Sequence, residues 1–460
     1  MAIATINPAN GETIKVFQPL TPEELDERLE RAATAFSTYR RTTLEQRAQW
    51  LLAAASVLDA ETDEVAEIMT LEMGKTLTAA KGEVAKCAKG LRHYAEHGPA
   101  MLAPTPADAK AVGARRAYAA YQPLGVVLAV MPWNFPLWQA MRFAAPALMA
   151  GNAGLLKHAS NVPQTALYME HLFRTAGFPD DVFQTLLIDS RAVEKVLRDP
   201  RVAAATLTGS EAAGRSVASI AGDALKKTVL ELGGSDPFVV MPSADLDRAV
   251  DVAVTARCQN NGQSCIAAKR FIVHEQVADQ FEEAFAAKLA ALVIGDPMDP
   301  KTDIGPLATE AGRQDIEDLV TDAVDKGARA VTGGNRVEGP GWFYPPTLLT
   351  GVSPDMRIYY EEAFGPVACL YRVPDLDAAL AMANDTEFGL GSNIWTNDEG
   401  EQERFIRDVE AGQVFVNGMT TSYPELPFGG VKASGYGREL GPEGLESYLE
   451  TKSIAIASGA

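Results

Sequence analysis

The chain of 460 residues is 47% hydrophobic and 22% charged, long enough to bury a large core and longer than one core normally supports, so two or three domains are expected. A formal net charge of -20 and a sequence pI near 4.8 repel nucleic acid and anionic membranes alike, which excludes non-specific binding to either and favours a small-molecule substrate. Four cysteines make no disulfide framework at this length; residues 1–17 lack a basic, then apolar, leader, and Pro, Gly or charge interrupts every apolar stretch before membrane-spanning length. The expectation is a reducing, cytoplasmic setting without signal peptide or transmembrane helix.

Taken in chain order, Thr21-Pro22-Glu23-Glu24 predicts a helix start, with Leu25, Leu29, Ala32, Ala33 and Phe36 on one face. A second helical stretch covers about 44–73 and stops at Gly74, and a third covers 79–97. Within the third, His93-Tyr94-Ala95-Glu96-His97 fits a His-x-x-Glu-His zinc pattern. A histidine pair on a helix surface is the commoner meaning, and with no third ligand in view no metal site is assigned. Residues 117–123 read as an edge strand or a simple hairpin arm.

From Gly125 the texture changes. The continuous apolar run 125–131, ended by Pro132, predicts a strand buried on both faces. Strand-like runs follow at 154–157, 183–188, 203–208 and 228–231, separated by helical stretches, which is the pattern of a parallel α/β sheet. A second alternating set runs through 238–241, 271–274, 367–371, 393–395 and 414–417, so two α/β lobes are expected, with a ligand cleft between them at strand carboxyl ends. Strand-like alternation returns at 452–456.

The chemistry-bearing residues cluster at those strand ends. Cys265 closes the run Gln259-Asn260-Asn261-Gly262-Gln263-Ser264-Cys265, a Gly- and amide-rich loop that suits a reactive thiol, whereas Cys87, Cys258 and Cys369 read as small buried hydrophobes. Glu231-Leu232-Gly233-Gly234 supplies a carboxylate, and Pro132-Trp133-Asn134-Phe135-Pro136 supplies an amide donor in a rigid turn. Thiol, base and amide together predict acyl chemistry. No Gly-x-Gly-x-x-Gly follows the first core strand, so the usual dinucleotide fingerprint is absent. Instead Thr208-Gly209-Ser210 precedes a helix containing Gly214 and offers backbone amides to a pyrophosphate. Lys157-His158-Ala159-Ser160 ends another strand, where Lys157 would reach ribose or phosphate oxygens. An acidic residue there would repel a 2′-phosphate and Ser160 would not, which favours NADP over NAD.

These runs, with Glu362-Ala363-Phe364-Gly365-Pro366 and Pro427-Phe428-Gly429-Gly430, resemble the aldehyde dehydrogenase superfamily over essentially the whole chain. Within it, residues 157–160 and 417–439 are most similar to bacterial NADP-dependent succinate-semialdehyde dehydrogenases. The resemblance implies an α/β aldehyde dehydrogenase-like fold: two Rossmann-like lobes plus a small β oligomerisation element. It implies a discontinuous cofactor domain at 1–115 and 125–235, a catalytic domain at 236–435, oligomerisation strands at 116–124 and 440–460, and a homodimer or homotetramer.

It further implies oxidation of succinic semialdehyde to succinate through a thiohemiacetal and a thioester on Cys265, an oxyanion held by Asn134 and the Cys265 N–H, and Glu231 as base. NADP would lie along Trp133, Asn134, Lys157, His158, Ser160, Gly209, Ser210, Leu232, Glu362 and Phe364, with NAD as the poorer cofactor. A far carboxylate needs a cation or hydrogen-bond donors, because an unpaired charge in a closed pocket is costly. Arg142 is the expected anchor, assisted by Ser422, with Trp138 one helical turn before it. Some relatives carry an arginine six residues before the nucleophile and this chain has Gln259, which leaves another semialdehyde or an aliphatic aldehyde as the alternative substrate. Ala267 stands where some relatives have a second cysteine, so no disulfide switch forms in that loop. A cysteine hydrolase, a zinc peptidase and an idle member of the fold are the remaining readings; Lys157 and Gly209-Ser210 have no purpose in the first, and the intact Cys265, Glu231 and Asn134 set argues against the last.

Overall fold

The computed structural model describes residues 2–457. The apolar run after Gly125 forms the strand Val126–Met131, and it lies inside a six-stranded sheet ordered Gly435–Tyr436, Lys227–Glu231, Val202–Thr208, Val126–Met131, Ala153–His158, Phe183–Thr185. Every pairing is parallel except that of Gly435–Tyr436, which arrives from the far end of the chain and closes one edge antiparallel to Lys227–Glu231. A second sheet of seven strands is ordered Arg329–Thr332, Thr347–Thr350, Val367–Val373, Ala268–His274, Asp236–Val240, Gly391–Trp395, Gln413–Val416. Its one antiparallel pair is the edge hairpin formed by the first two. Strands buried on both faces and joined by helices are what near-continuous apolar runs require.

The third sheet is small and antiparallel: Leu449–Ile456 pairs along its whole length with Arg116–Pro123, which also pairs with Thr105–Pro106. Residues 116–123 and 449–456 therefore meet in one ribbon, whereas Gly441–Glu446 of the expected 440–460 segment is a helix; residues 458–460, and Met1 of the expected 1–115 segment, lie outside the described residues. Most side chains of Leu449–Ile456 are exposed or half-exposed.

The helices follow their local chemistry. Pro22–Tyr39 begins with Thr21 and Glu24 in a reciprocal capping box and Pro22 in the first turn. The single helix expected over 44–73 is two, Leu44–Ala60 and Thr62–Met73, because Glu61 leaves helical geometry at φ -103°, ψ 15°. The second ends at Gly74 in the left-handed conformation that suits glycine. Trp138–Ala150 is buried at every position, Gln139 and Arg142 included, and it packs in one core with Leu77–Met101 and the strand Val126–Met131. That central helix and its neighbour Leu77–Met101 carry one wall of the site described next.

Candidate active site

The loop before Cys265 is held in an unusual backbone shape. Asn260 (φ 56°, ψ 36°), Asn261 (φ 58°, ψ 30°) and Gly262 (φ 75°) are consecutive left-handed residues, a conformation that Asn tolerates and Gly favours. A Cβ on Gly262 would collide with the backbone of Gly365 and Pro366. Asn261 ties the loop down by donating to Gly74 O (2.8 Å) and Pro306 O (2.9 Å) and accepting from Gly305 N (2.9 Å). Gln263 accepts from Ala308 N at 2.9 Å. Cys265 emerges from this frame 9% exposed, and its backbone N–H makes no hydrogen bond among the described residues. Burial pushes its thiol up to about 12, against the pull of the Arg142 and Lys269 charges, so the sulfur is held as a neutral thiol until a base takes its proton. Lys269 donates to the carbonyls of Ser264 (2.9 Å) and Cys265 (2.7 Å) and pairs with Glu362 at 3.0 Å, joining the nucleophile loop to the far side of the cleft.

Asn134 is 3% exposed and donates one amide proton to Gln263 O at 3.2 Å, while its own carbonyl accepts from Asn260 Nδ2 at 2.7 Å. An amide nitrogen has two protons, so one remains for an oxyanion beside the open Cys265 N–H. The turn carrying Asn134 is braced by a residue that the sequence did not single out. Glu83, on the helix Leu77–Met101, accepts from the N–H groups of Leu137 (2.9 Å) and Trp138 (2.8 Å) at the start of the central helix, and its other oxygen pairs with buried Lys75.

His158 corrects one expectation. Its Nε2 lies 2.8 Å from Pro136 O and its Nδ1 accepts from Ala159 N at 2.9 Å, so both ring nitrogens are committed to the backbone. Burial pushes it down to about 4, which leaves a neutral ring donating to Pro136. It braces the Asn134 turn from the neighbouring strand, and its ring nitrogens are not free to donate to or accept from a cofactor.

Glu231 ends the strand Lys227–Glu231, is 1% exposed, and neither of its carboxyl oxygens has a hydrogen-bond partner. Burial and the negative field of Glu439 raise it well above the usual carboxylate range, with Arg142 and Arg438 opposing. Glu439 was not legible as a site residue. It is fully buried, receives Thr206 Oγ1 at 3.4 Å, and lies 2.7 Å from Arg142 Nε. This corrects the expectation for Arg142: its guanidinium is 4.4 Å from the Phe428 ring centroid, 3.4 Å from Thr208 Oγ1 and charge-matched by Glu439, so it is not a free cation awaiting a substrate carboxylate. Two buried carboxyls sharing chiefly one guanidinium cannot both be ionised cheaply, and one proton stays with the pair.

A cleft of about 550 Å³ opens onto Cys265 and Asn134, lined also by Trp133, Gln139, Thr208, Gly209, Ser210, Leu232, Gly233, Glu362 and Phe364. Ser210 caps the helix Glu211–Asp223, leaving N–H groups of its first turn toward the cleft. A Cβ at Gly214 would sit 2.6 Å from a Leu232 methyl, so glycine lets Leu232 lie against that turn. Trp133 and Phe364 meet edge to face at 5.7 Å, and Glu362 accepts from Gly234 N at 3.1 Å. Lys157 is half-buried, its ammonium disfavoured by burial with Asp189 partly opposing, and among the described residues it has no ion-pair partner and the Ser160 hydroxyl makes no hydrogen bond. A helix N-terminus in the cleft wall, with a lysine and a hydroxyl at the carboxyl end of another strand of the same sheet, suits a phosphorylated dinucleotide.

Next to Gln139 of the cleft wall, Trp138 donates through Nε1 to Ser422 Oγ at 2.9 Å. Lys86, which the sequence reading passed over, donates to the same oxygen at 2.7 Å and lies 4.6 Å from the Trp138 ring centroid. Gln259 is half-buried, with its amide nitrogen buried and unpartnered.

The chain as a whole has close relatives. Residues 1–454 match the model of the aldehyde dehydrogenase family. A Mycobacterium avium (strain 104) protein named succinate-semialdehyde dehydrogenase [NADP(+)] is 64% identical over 459 residues, covering 100% of this chain and 97% of that one. The crystal structure of a Streptococcus pyogenes succinic semialdehyde dehydrogenase in complex with NADP+ is 40% identical, with a TM-score of 0.96, covering 99% of this chain and 100% of that one. A succinate-semialdehyde dehydrogenase from Burkholderia pseudomallei is 37% identical with a TM-score of 0.96, covering 100% of this chain and 95% of that one. The chain belongs to the aldehyde dehydrogenase family.

Proposed function

We propose that this protein oxidises succinic semialdehyde to succinate with NADP as the acceptor. The observation that carries the reading is the opening of Cys265 into one cleft between two unsatisfied donors, its own N–H and the Asn134 amide, and a groove fitted to a dinucleotide. Full-length likeness to enzymes of that name supports the choice of substrate and cofactor.

The residues act as follows. The Cys265 thiol gives up its proton to a base as the sulfur adds to the carbonyl carbon, and the oxygen takes the negative charge. The Asn134 amide and the Cys265 N–H receive that charge in a water-poor site, where such donors act most strongly. NADP, when bound, supplies the two-electron acceptor for the carbon. The acyl group then remains on the sulfur as a thioester. Glu231, held well above the usual carboxylate range by burial and the Glu439 field, takes a proton from water in its ionised form as the water oxygen attacks the acyl carbon. The C–S bond breaks, succinate leaves, and the thiolate regains a proton. Lys157, Ser160, Gly209, Ser210, Leu232, Trp133, Glu362 and Phe364 hold the cofactor in this reading.

Residues 1–115 and 125–235 form the cofactor lobe and 236–435 the nucleophile-bearing lobe. The long, exposed strand Leu449–Ile456 and its partner Arg116–Pro123 bridge subunits of a homodimer or homotetramer, since an open edge of this length invites pairing. The free thiols suit a reducing compartment such as the cytoplasm. The test is the initial rate of reduced-nicotinamide formation with succinic semialdehyde and NADP or NAD, for wild type and Cys265→Ala. A rate with NADP that exceeds the rate with NAD and vanishes in the variant supports the reading. Activity on uncharged aldehydes alone defeats the substrate assignment, and silence with every aldehyde defeats the dehydrogenase reading.

A further inference from the structure

Ser422 Oγ accepts two hydrogen bonds, from Trp138 Nε1 at 2.9 Å and from Lys86 Nζ at 2.7 Å. A hydroxyl has two lone pairs and one proton, so both acceptor positions are used and the O–H is left over as a donor. No acceptor for it exists among the described residues. Lys86 is in the same condition. Of its three N–H groups one goes to Ser422, its charge lies 4.6 Å from the Trp138 ring centroid, and no carboxylate stands within ion-pair distance among the described residues.

The neighbouring charges are all spoken for. Glu83, three residues earlier on the same helix, is divided between Lys75 and the N–H groups of Leu137 and Trp138. Arg142 is matched by Glu439. Gln259 brings no charge. A half-buried cation without a counterion is an unfavourable arrangement unless an anion arrives to complete it. Trp138, which touches both Lys86 and Ser422, directly precedes Gln139 in the wall of the cleft that Cys265 lines, and this sets the pair beside that cleft.

We propose that the Lys86 ammonium and the Ser422 O–H, set side by side by Trp138, form the carboxylate-binding end of the substrate site and select aldehydes that carry an anionic group at the far end of a short chain. The inference rests on the reaction proposed above and assigns its charge selectivity to the helix Leu77–Met101. Lys86 is a specificity-determining residue: it grips the part of the substrate that does not react.

The test compares kcat/KM for succinic semialdehyde with kcat/KM for butanal, which has the same chain length and no charge, in wild type, Lys86→Met and Lys86→Arg. Calorimetric titration of the same proteins with succinate, without cofactor, gives a second readout independent of turnover. A charge-assisted hydrogen bond corresponds to about 10- to 100-fold in affinity. Lys86→Met should lower the preference for succinic semialdehyde by that factor and weaken succinate binding in parallel, and Lys86→Arg should restore a substantial part of both. An undiminished preference in Lys86→Met overturns the inference while leaving the proposed reaction standing. Equal losses on both aldehydes that Lys86→Arg does not relieve also overturn it, because a packing role makes no distinction of charge. A wild type with no preference between the two aldehydes overturns the proposed substrate and this inference together.

Discussion

Replacing Arg142 with methionine separates a structural guanidinium from a substrate anchor. The Arg142 and Glu439 side chains are 2% and 0% exposed and lie 2.7 Å apart, so removing the cation strands a carboxyl in the core beside Glu231. Breaking a buried pair in this way costs about 3–5 kcal/mol. An independent route gives a similar figure: the stranded group escapes by holding a proton, and keeping a carboxyl of ordinary pKa about 4.3 protonated at pH 7 costs about 3.7 kcal/mol. The folded-state pKa of Glu439 is then raised above its unfolded value, so stability is highest below the unfolded pKa and is lost as pH rises through the folded one. The deficit of Arg142→Met should therefore shrink by about 2.7 kcal/mol between pH 7 and pH 5. Urea unfolding at both values, followed by circular dichroism, measures it. Adding Glu439→Gln should recover most of the loss, since an amide needs no proton to be neutral. In activity, Arg142→Met should lower kcat/KM for succinic semialdehyde and butanal by similar factors, because its charge acts on the Glu231 and Cys265 surroundings common to both. A deficit independent of pH, additive losses in the double variant, or a loss confined to succinic semialdehyde would refute the reasoning and return Arg142 to the role of anchor.

Three further outcomes follow from the same geometry. Glu231→Gln keeps the shape of a residue whose oxygens are unpartnered but removes the base, so turnover should fall by about 10²- to 10⁴-fold, and intact-mass spectrometry after mixing with aldehyde and NADP should find an acyl group retained on Cys265; undiminished turnover without an adduct would count against that role. Ser160→Glu sets an anion beside Lys157 and should weaken NADP binding by about 10- to 100-fold by calorimetry, with little loss for NAD; an unchanged ratio would show that a 2′-phosphate does not sit there. Burial first and then Arg142 bring Lys86 down to about 8, with Cys87 and Glu83 on its own helix and Cys265 across the cleft opposing. Above pH 8 the ammonium is lost, so the KM for succinic semialdehyde relative to butanal should rise about tenfold per pH unit in wild type and stay level in Lys86→Arg; a level wild-type profile to pH 10 would contradict it.

The two lobes were legible because a parallel sheet buried on both faces writes itself as apolar runs, and 125–131, 203–208 and 228–231 lie within a residue or so of the observed strands. Strands without that burial left no such trace. Thr13–Phe17 is exposed along most of its length, and Thr347–Thr350 is four residues following two prolines. The break at Glu61 was invisible for another reason: the helices on either side share one continuous apolar periodicity, and what separates them is a single residue's backbone angles, with no Gly or Pro to mark it.

The candidate site divides along a similar line. Cys265, Asn134 and Glu231 announce themselves through loop context, since Gly, Pro and amide residues crowd positions where the backbone must bend sharply or approach closely, and the left-handed angles of Asn260, Asn261 and Gly262 are the physical content of that signal. The charge of a side chain is equally plain in a sequence, but whether that charge is spent is not. Arg142, on a helix behind the Asn134 turn, has the right chemistry for an anchor, and Glu439, almost three hundred residues later, neutralises it. Lys86 looks like a surface lysine on an amphipathic helix, and only the fold shows its ammonium turned inward against Trp138 and Ser422. Periodicity told which face of that helix is apolar; it carried no information about a lysine at the margin of that face, whose long stem lies along apolar surface while its head reaches a polar cleft. Uncompensated charge is a property of three-dimensional neighbourhoods, and it is there that selectivity for a charged substrate has to be sought.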